Sequence, residues 1–251
     1  MDGFLGRSAE SAAALANACE GLAQQAPAYS AKRVLTAAQG FAILATVGLL
    51  AAGLWLAPNV MLGATHGLAL GLFGGILALR LAAAAYSFAA RPMPRLPQSP
   101  QPILTVLCPL YKEAAVAADL IAALRRLDYP AALLDVKLIL EEDDAETLAA
   151  VRRLDLPDFC EVLVTPAAAP RTKPKALNYA LAFSHGEVVA VFDAEDRPHP
   201  AQPRAAVAAL RQGGPGLACV QAPLFADNAG ASWIARQFAA VTFLSDNRAD
   251  L

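Results

Sequence analysis

Side chains able to do chemistry gather at four places in the 251-residue sequence. Pro109-Leu110-Tyr111-Lys112-Glu113 follows one apolar run, Glu141-Glu142-Asp143-Asp144 a second, and Asp193-Ala194-Glu195-Asp196 a third. Between the last two lies Arg171-Thr172-Lys173-Pro174-Lys175, three cations in five residues. Neighbouring carboxylates repel unless something positive sits among them. A hard divalent cation bound through oxygens would answer that need, which makes Asp193, Glu195 and Asp196 candidate metal ligands. For Asp143 or Asp144 the plainer role is capping the next helix, whose dipole favours acids at its start. The cations stand at the start of a helical pattern, where the dipole disfavours them. A docked anion would relieve that conflict, and a solvated basic loop is the alternative.

Those clusters must be held by the elements between them. Apolar runs at 103–108, 136–140, 161–164, 188–192 and 217–221 predict strands. Helical periodicity at 114–127, 145–154, 174–183 and 200–211 falls between them. Strands alternating with helices predict a mostly parallel sheet with flanking helices, an α/β class. Ligands of such sheets bind beyond the carboxyl ends of the strands, where the acidic clusters stand. A further apolar pattern near 233–244 predicts an amphipathic helix.

Other chemistries lack their residues. No Gly-x-x-x-x-Gly-Lys loop and no Gly-x-Gly-x-x-Gly turn occurs, which removes the P-loop and dinucleotide readings. His185 and His199 have no Ser or Cys partner and read as surface residues. Twenty basic against 22 acidic residues give a net charge of -2, so no basic field points to nucleic acid. Cys19, Cys108, Cys160 and Cys219 lie too far apart for a zinc knuckle or a disulfide framework and read as buried thiols.

Hydrophobic residues make up 57% of the chain and charged ones 17%, and the excess lies early. Residues 34–57 and 60–79 contain no charged side chain. Each run can cross a hydrocarbon core of about 30 Å. Lys32 and Arg33 precede the first run, Arg80, Arg91 and Arg95 lie in or after the second, and the Pro58-Asn59 connector has no cation. The positive-inside rule then predicts a multi-pass protein of the inner or plasma membrane, with both ends of the hairpin and the C-terminal domain cytoplasmic. Gly63, Gly67, Gly71 and Gly75 form a stripe on the second helix, expected to pack against the first. Five prolines between 92 and 102 predict an extended spacer. The expected domains are thus an N-terminal cytoplasmic segment (1–33), a transmembrane hairpin (34–90), a proline-rich linker (91–102) and an α/β domain (103–251).

The order Pro-Leu-Tyr-Lys-Glu, Glu-Glu-Asp-Asp, Lys-Pro-Lys-Ala-Leu-Asn and Asp-Ala-Glu-Asp resembles a family 2 glycosyltransferase, of the membrane-bound, cellulose-synthase-like kind. The resemblance covers about residues 103–245. It implies a GT-A fold, a nucleotide-sugar donor, usually UDP-linked, Mg²⁺ or Mn²⁺, and inverting transfer to a saccharide or lipid acceptor. Pro109, Tyr111 and Glu113 resemble the Pro-x-Tyr-Asn-Glu loop beside the nucleoside, with Lys112 in place of Asn. Glu141 to Asp144 resemble the acidic site for uracil and ribose, any of the four carboxylates being able to make the contact, with Glu141 and Asp143 the candidates. Lys173 with Ala176-Leu177-Asn178 resembles the segment near the diphosphate, with Thr172 where a Gly is usual. Asp193-Ala194-Glu195 resembles the Asp-x-Asp metal motif, and Asp196 could substitute as a ligand. In the family the general base lies in a later acidic motif, so it is expected beyond Leu251. The expectation is a donor-binding portion of a transferase, with a membrane partner subunit possible. The alternative is a catalytically inactive, membrane-anchored binding or scaffold module.

Overall fold

The computed structural model describes residues 10–32, 34–87, 100–222 and 230–236. They fall into two compact units, one of residues 10–32 with 100–220, the other of residues 34–87 with the described residues after 220. Residues 10–25 form helix α1, with a π-turn at Asn17–Gly21. The N-terminal segment, expected to stand apart, therefore belongs to the α/β unit. Most of the proline-rich stretch, and the expected helix beyond residue 236, lie outside the described residues.

The second unit is built on α2 (Ala37–Leu56) and α3 (Pro58–Ser87), joined by Ala57 alone. A capping box starts α2: the Thr36 hydroxyl accepts from the Gln39 amide at 3.2 Å, and Gln39 Oε1 accepts from the Thr36 amide at 2.9 Å. Proline at the first position of α3 costs no helical hydrogen bond. Their most apolar stretches have mean hydropathies of 1.8 and 1.7 with none of the surface buried, so both are long and apolar enough to cross a membrane. Thr46 and Thr65 donate their hydroxyls to Ala42 O and Met61 O, each at 2.8 Å, so both hydroxyls are satisfied within their own helices. The expected packing of the glycine stripe on the first helix is not found. Side chains added at Gly63, Gly67, Gly71 or Gly75 would meet nothing within 4 Å. Close approach occurs instead at the connector, where the Met61 methyl lies 2.5 Å from the place of a Gly53 Cβ.

In the α/β unit, β1 (Leu104–Leu110), β2 (Leu134–Glu141), β3 (Cys160–Thr165) and β4 (Val188–Val191) form a parallel sheet in the order β3-β2-β1-β4. The register pairs Leu104 with Leu134 and Val188, and Val136 with Cys160. Helices α4 (Ala117–Leu124), α5 (Ala145–Arg152), α6 (Lys173–Leu181) and α7 (Gln202–Gln212) complete it. One face of the sheet presents Val106, Cys108, Leu110, Val136, Leu138 and Leu140 to Leu120, Leu124, Val151 and Val207 of α4, α5 and α7. This is the main core. The opposite face presents Leu107 and Ile139 to Ala176 and Ala180, so α6 approaches the sheet through small residues.

The expected strand at 217–221 is not formed; these residues lie in irregular, largely exposed backbone. All four cysteines are free; Cys108 is buried, Cys19 and Cys160 are half-buried and Cys219 is exposed, against the expectation of four buried thiols. Burial pushes the Cys160 thiol up to about 12.

Candidate functional site

The apolar strands end in polar residues at the same edge of the sheet, and a cavity of about 340 Å³ opens there. Pro109, Leu110, Tyr111 and Glu113 enter its wall from the end of β1, and Ile139 and Glu141 from β2. Arg171, Thr172, Lys173 and Ala176 come from the start of α6, and Asp193, Ala194 and Glu195 from the turn after β4. Of the residues expected at a nucleotide-sugar site, Pro109, Tyr111, Glu113, Glu141, Lys173 and Asp193 therefore share one wall. Asp143 does not line it, but its carboxylate pairs with Arg171, which does.

The loop after β1 is fixed by the next strand's acids. Lys112 has φ 61°, the left-handed region that a lysine adopts at a cost. Its amide donates to Asp144 Oδ2 at 2.5 Å, while Asp144 Oδ1 accepts from the Thr147 amide at 3.1 Å and caps α5. Burial opposes ionisation of Asp144, but the Lys112 and Thr147 donors outweigh it and hold the carboxyl below the ordinary range. The Glu113 amide donates to Thr147 Oγ1 at 3.1 Å, and its Oε2 is buried without a partner. Burial, reinforced by Glu195 and opposed by Lys173, raises the Glu113 carboxyl.

The basic segment and the acids meet one to one. Arg171 pairs with Asp143, Lys173 with Asp193, and Lys175 Nζ with Glu141 Oε2 at 2.9 Å. The pairs differ in setting. Lys173 and Asp193 are 44% and 46% exposed, open to exchange with a ligand, whereas Lys175 and Glu141 are 1% and 10% exposed. Lys175 also donates to Ala168 O at 3.3 Å. Lys175 is thus a buried support for Glu141 and does not face an anion, as the sequence had implied for the whole basic run. The α6 N-terminus has no side-chain cap from Thr172 and no acid in its first turn. Pro174 has no N–H and the Lys175 and Ala176 amides bond to Thr172 O at 3.0 and 3.3 Å, so it is Lys173 at the helix start that makes this side of the cavity suited to an anion.

Beside that cation the wall offers oxygens. Asp193 lies beside Lys173, and Glu195 stands exposed on the cavity wall. Asp196 is not on the wall: its Oδ2 accepts from the Asp193 amide at 2.7 Å and so closes the turn. Burial, then Glu195, raises the Asp196 carboxyl against the pull of Lys173. Among the described residues no three His, Cys, Asp or Glu side chains converge on one point fit for a metal. Two hard carboxylates at the mouth still suit a divalent cation that takes its remaining ligands from a bound anion. The chemistry available is therefore the capture of a diphosphate-like group between a cationic helix start and a pair of acids. The sequence did not place Ile139 on the wall. Its strand periodicity marks it as buried, and burial alone does not say that it floors a cavity.

Comparison with known proteins follows this geometry. The sequence model of the family described as "Glycosyltransferase like family 2" matches residues 100–247. "Probable glycosyltransferase YdaM" of Bacillus subtilis (strain 168) is 30% identical over 99 residues, 39% of this chain and 24% of its own length. Among solved structures, the mannosyltransferase PcManGT from Pyrobaculum calidifontis, in complex with GDP-Man and Mn²⁺, superposes with a TM-score of 0.50. It is 27% identical, and the match covers 62% of this chain and 46% of that one. The chain thus spans under half the length of either protein.

Proposed function

The chain belongs to the glycosyltransferase-like family 2, and from that premise we propose that it is the donor-binding portion of a membrane-bound transferase. It takes a sugar from a nucleotide-sugar, UDP-linked, and passes it with inversion to a saccharide or lipid acceptor. The observation that carries this reading is the single cavity at the strand ends, where Tyr111, Glu113, Glu141, Lys173, Asp193 and Glu195 come together from loops spread over the whole domain. The related mannosyltransferase binds GDP-Man and Mn²⁺, which supports a nucleotide-sugar and a divalent metal here as well.

In this assignment Pro109, Tyr111, Glu113, Glu141 and Asp143 hold the nucleoside side. Lys173 holds the diphosphate, whose charge grows as the sugar leaves. Mg²⁺ or Mn²⁺ fits Asp193 and Glu195, and it supplies neutralisation of that charge when bound. Lys175 keeps Glu141 in place at the cavity wall. The two apolar helices anchor the domain in the membrane, and the basic residues around them place it on the cytoplasmic side.

Calorimetric titration of the detergent-solubilised protein with UDP and Mn²⁺ tests the reading. A saturable heat is expected, and Asp193→Ala should weaken it about tenfold or more. Tighter binding of GDP than UDP would remove the uridine assignment alone. No heat with either nucleotide would remove the donor site.

A further inference from the structure

Helix α1 lies against α6, its π-turn at Asn17–Gly21 forming part of the contact. Ser11 Oγ and Tyr179 OH, 168 residues apart in sequence, are 2.8 Å from each other. Under this helix Tyr179 is 3% exposed, with its ring against Phe183 at 5.2 Å between centroids. Ala14 and Gly21 are the buried residues of α1. The Asn17 side-chain amide occupies the space beside Gly21 where a side chain would stand.

The inner side of α6 packs on Leu107 and Ile139 through Ala176, Ala180 and Leu177, and the buried Lys175–Glu141 pair ties its first turn to β2. The outer side carries the large buried aromatic, and α1 is what covers it. Tyr179 lies six residues, about 9 Å along the axis, from Lys173 at the cavity. A tilt of so short a helix about that inner contact moves Lys173 and Thr172 together. We propose that α1 is a clamp on the donor site, with Ser11 and Tyr179 as positioning residues acting through α6 on Lys173. This rests on the donor-binding reading above. α1 docks through small side chains and leaves Leu22 54% exposed, so the contact buries little large apolar surface.

Linkage makes the idea testable. If docking of α1 strengthens donor binding, donor binding must strengthen docking by the same factor. UDP with Mn²⁺ should therefore slow amide hydrogen exchange in residues 10–25 of the solubilised full chain, away from the cavity. Ala14→Arg should weaken UDP–Mn²⁺ binding about fivefold or more and abolish that protection. Ala13→Arg, on the exposed side of the same helix, should stay within about twofold. Tyr179→Phe keeps the ring but not the Ser11 bond, and should move binding in the same direction as Ala14→Arg. If Ala14→Arg does not fold, the exchange result and Tyr179→Phe decide. Nucleotide binding with unchanged exchange in 10–25, or Ala14→Arg or Tyr179→Phe binding as the native protein does, overturns the clamp alone. No heat and no protection anywhere in the native protein overturns the donor reading and the clamp with it.

Discussion

Lys112 holds a backbone conformation that Asn or Gly adopts at less cost, and the family usually has Asn at the corresponding place. What retains it is Asp144, which accepts the Lys112 amide with one oxygen and caps α5 with the other. One buried carboxylate thus joins the loop after β1 to the neighbouring helix. Removing it in Asp144→Ala should cost about 1–2 kcal/mol, the upper part of the range for a lost helix cap. The sign of its pH dependence follows from the lowered carboxyl. A group ionised more readily when folded stabilises above its unfolded value, and that stability is lost as pH falls through the folded one. Thermal melts should accordingly separate the native protein from Asp144→Ala at neutral pH and bring the curves together in acid. Curves equally far apart at low pH would mean that packing, and not the ionised cap, is what was lost.

At the scale of elements, β4 enters the sheet through Gly186, whose missing side chain leaves room for the Thr105 amide. A Cβ there would lie 2.4 Å from Thr105 N and 2.8 Å from Val188 O, both backbone atoms that cannot step aside. Its own amide donates to Thr105 Oγ1 at 2.8 Å, and that hydroxyl donates to Asp135 Oδ2 at 2.8 Å. Gly186→Ala should destabilise by about 1–3 kcal/mol through overpacking, read as a lower midpoint in urea. An unchanged midpoint would show that the strand entry relaxes freely. β1 and β2 were legible because a parallel strand covered on both faces reads as one apolar run, and β4 carries such a run although Val189 and Val191 are exposed. Residues 217–221 carry the same signal and join no strand among the described residues, since pairing needs a matching edge elsewhere in the chain that no local pattern encodes. Lys173 and Lys175 were grouped by proximity. Two residues apart on a helix, they point to nearly opposite sides, so one meets the cavity and the other the sheet. That distinction lay in the sequence once the helix start was known. The docking of α1 did not, because an alanine-rich helix with a buried Ala14 and Gly21 shows no apolar stripe to mark its inner face.

For the whole molecule the deciding fact is the amount of large apolar surface on α2 and α3. Phe41, Leu44, Leu49, Trp55, Leu56, Phe73 and Leu79 are each more than two-thirds exposed. A water-soluble protein rarely leaves an apolar patch beyond a few hundred Å² uncovered, so something apolar must cover this one. Both helices satisfy their backbone internally and return their threonine hydroxyls to their own carbonyls, as hydrocarbon requires. Lipid is a cover that fits helices of this length, which is the membrane-bound reading proposed above. The native protein should then remain in the membrane pellet after alkaline carbonate washing. Arginines at Leu44 and Val47, near the middle of α2, should each cost about 2.5–3.5 kcal/mol of insertion. The double variant Leu44→Arg/Val47→Arg should lose most of the pelleted fraction, while Lys32→Gln, outside the span, should not. Release of the native protein by carbonate would assign the apolar surface to a protein partner, since a peripheral complex dissociates where a spanning helix does not.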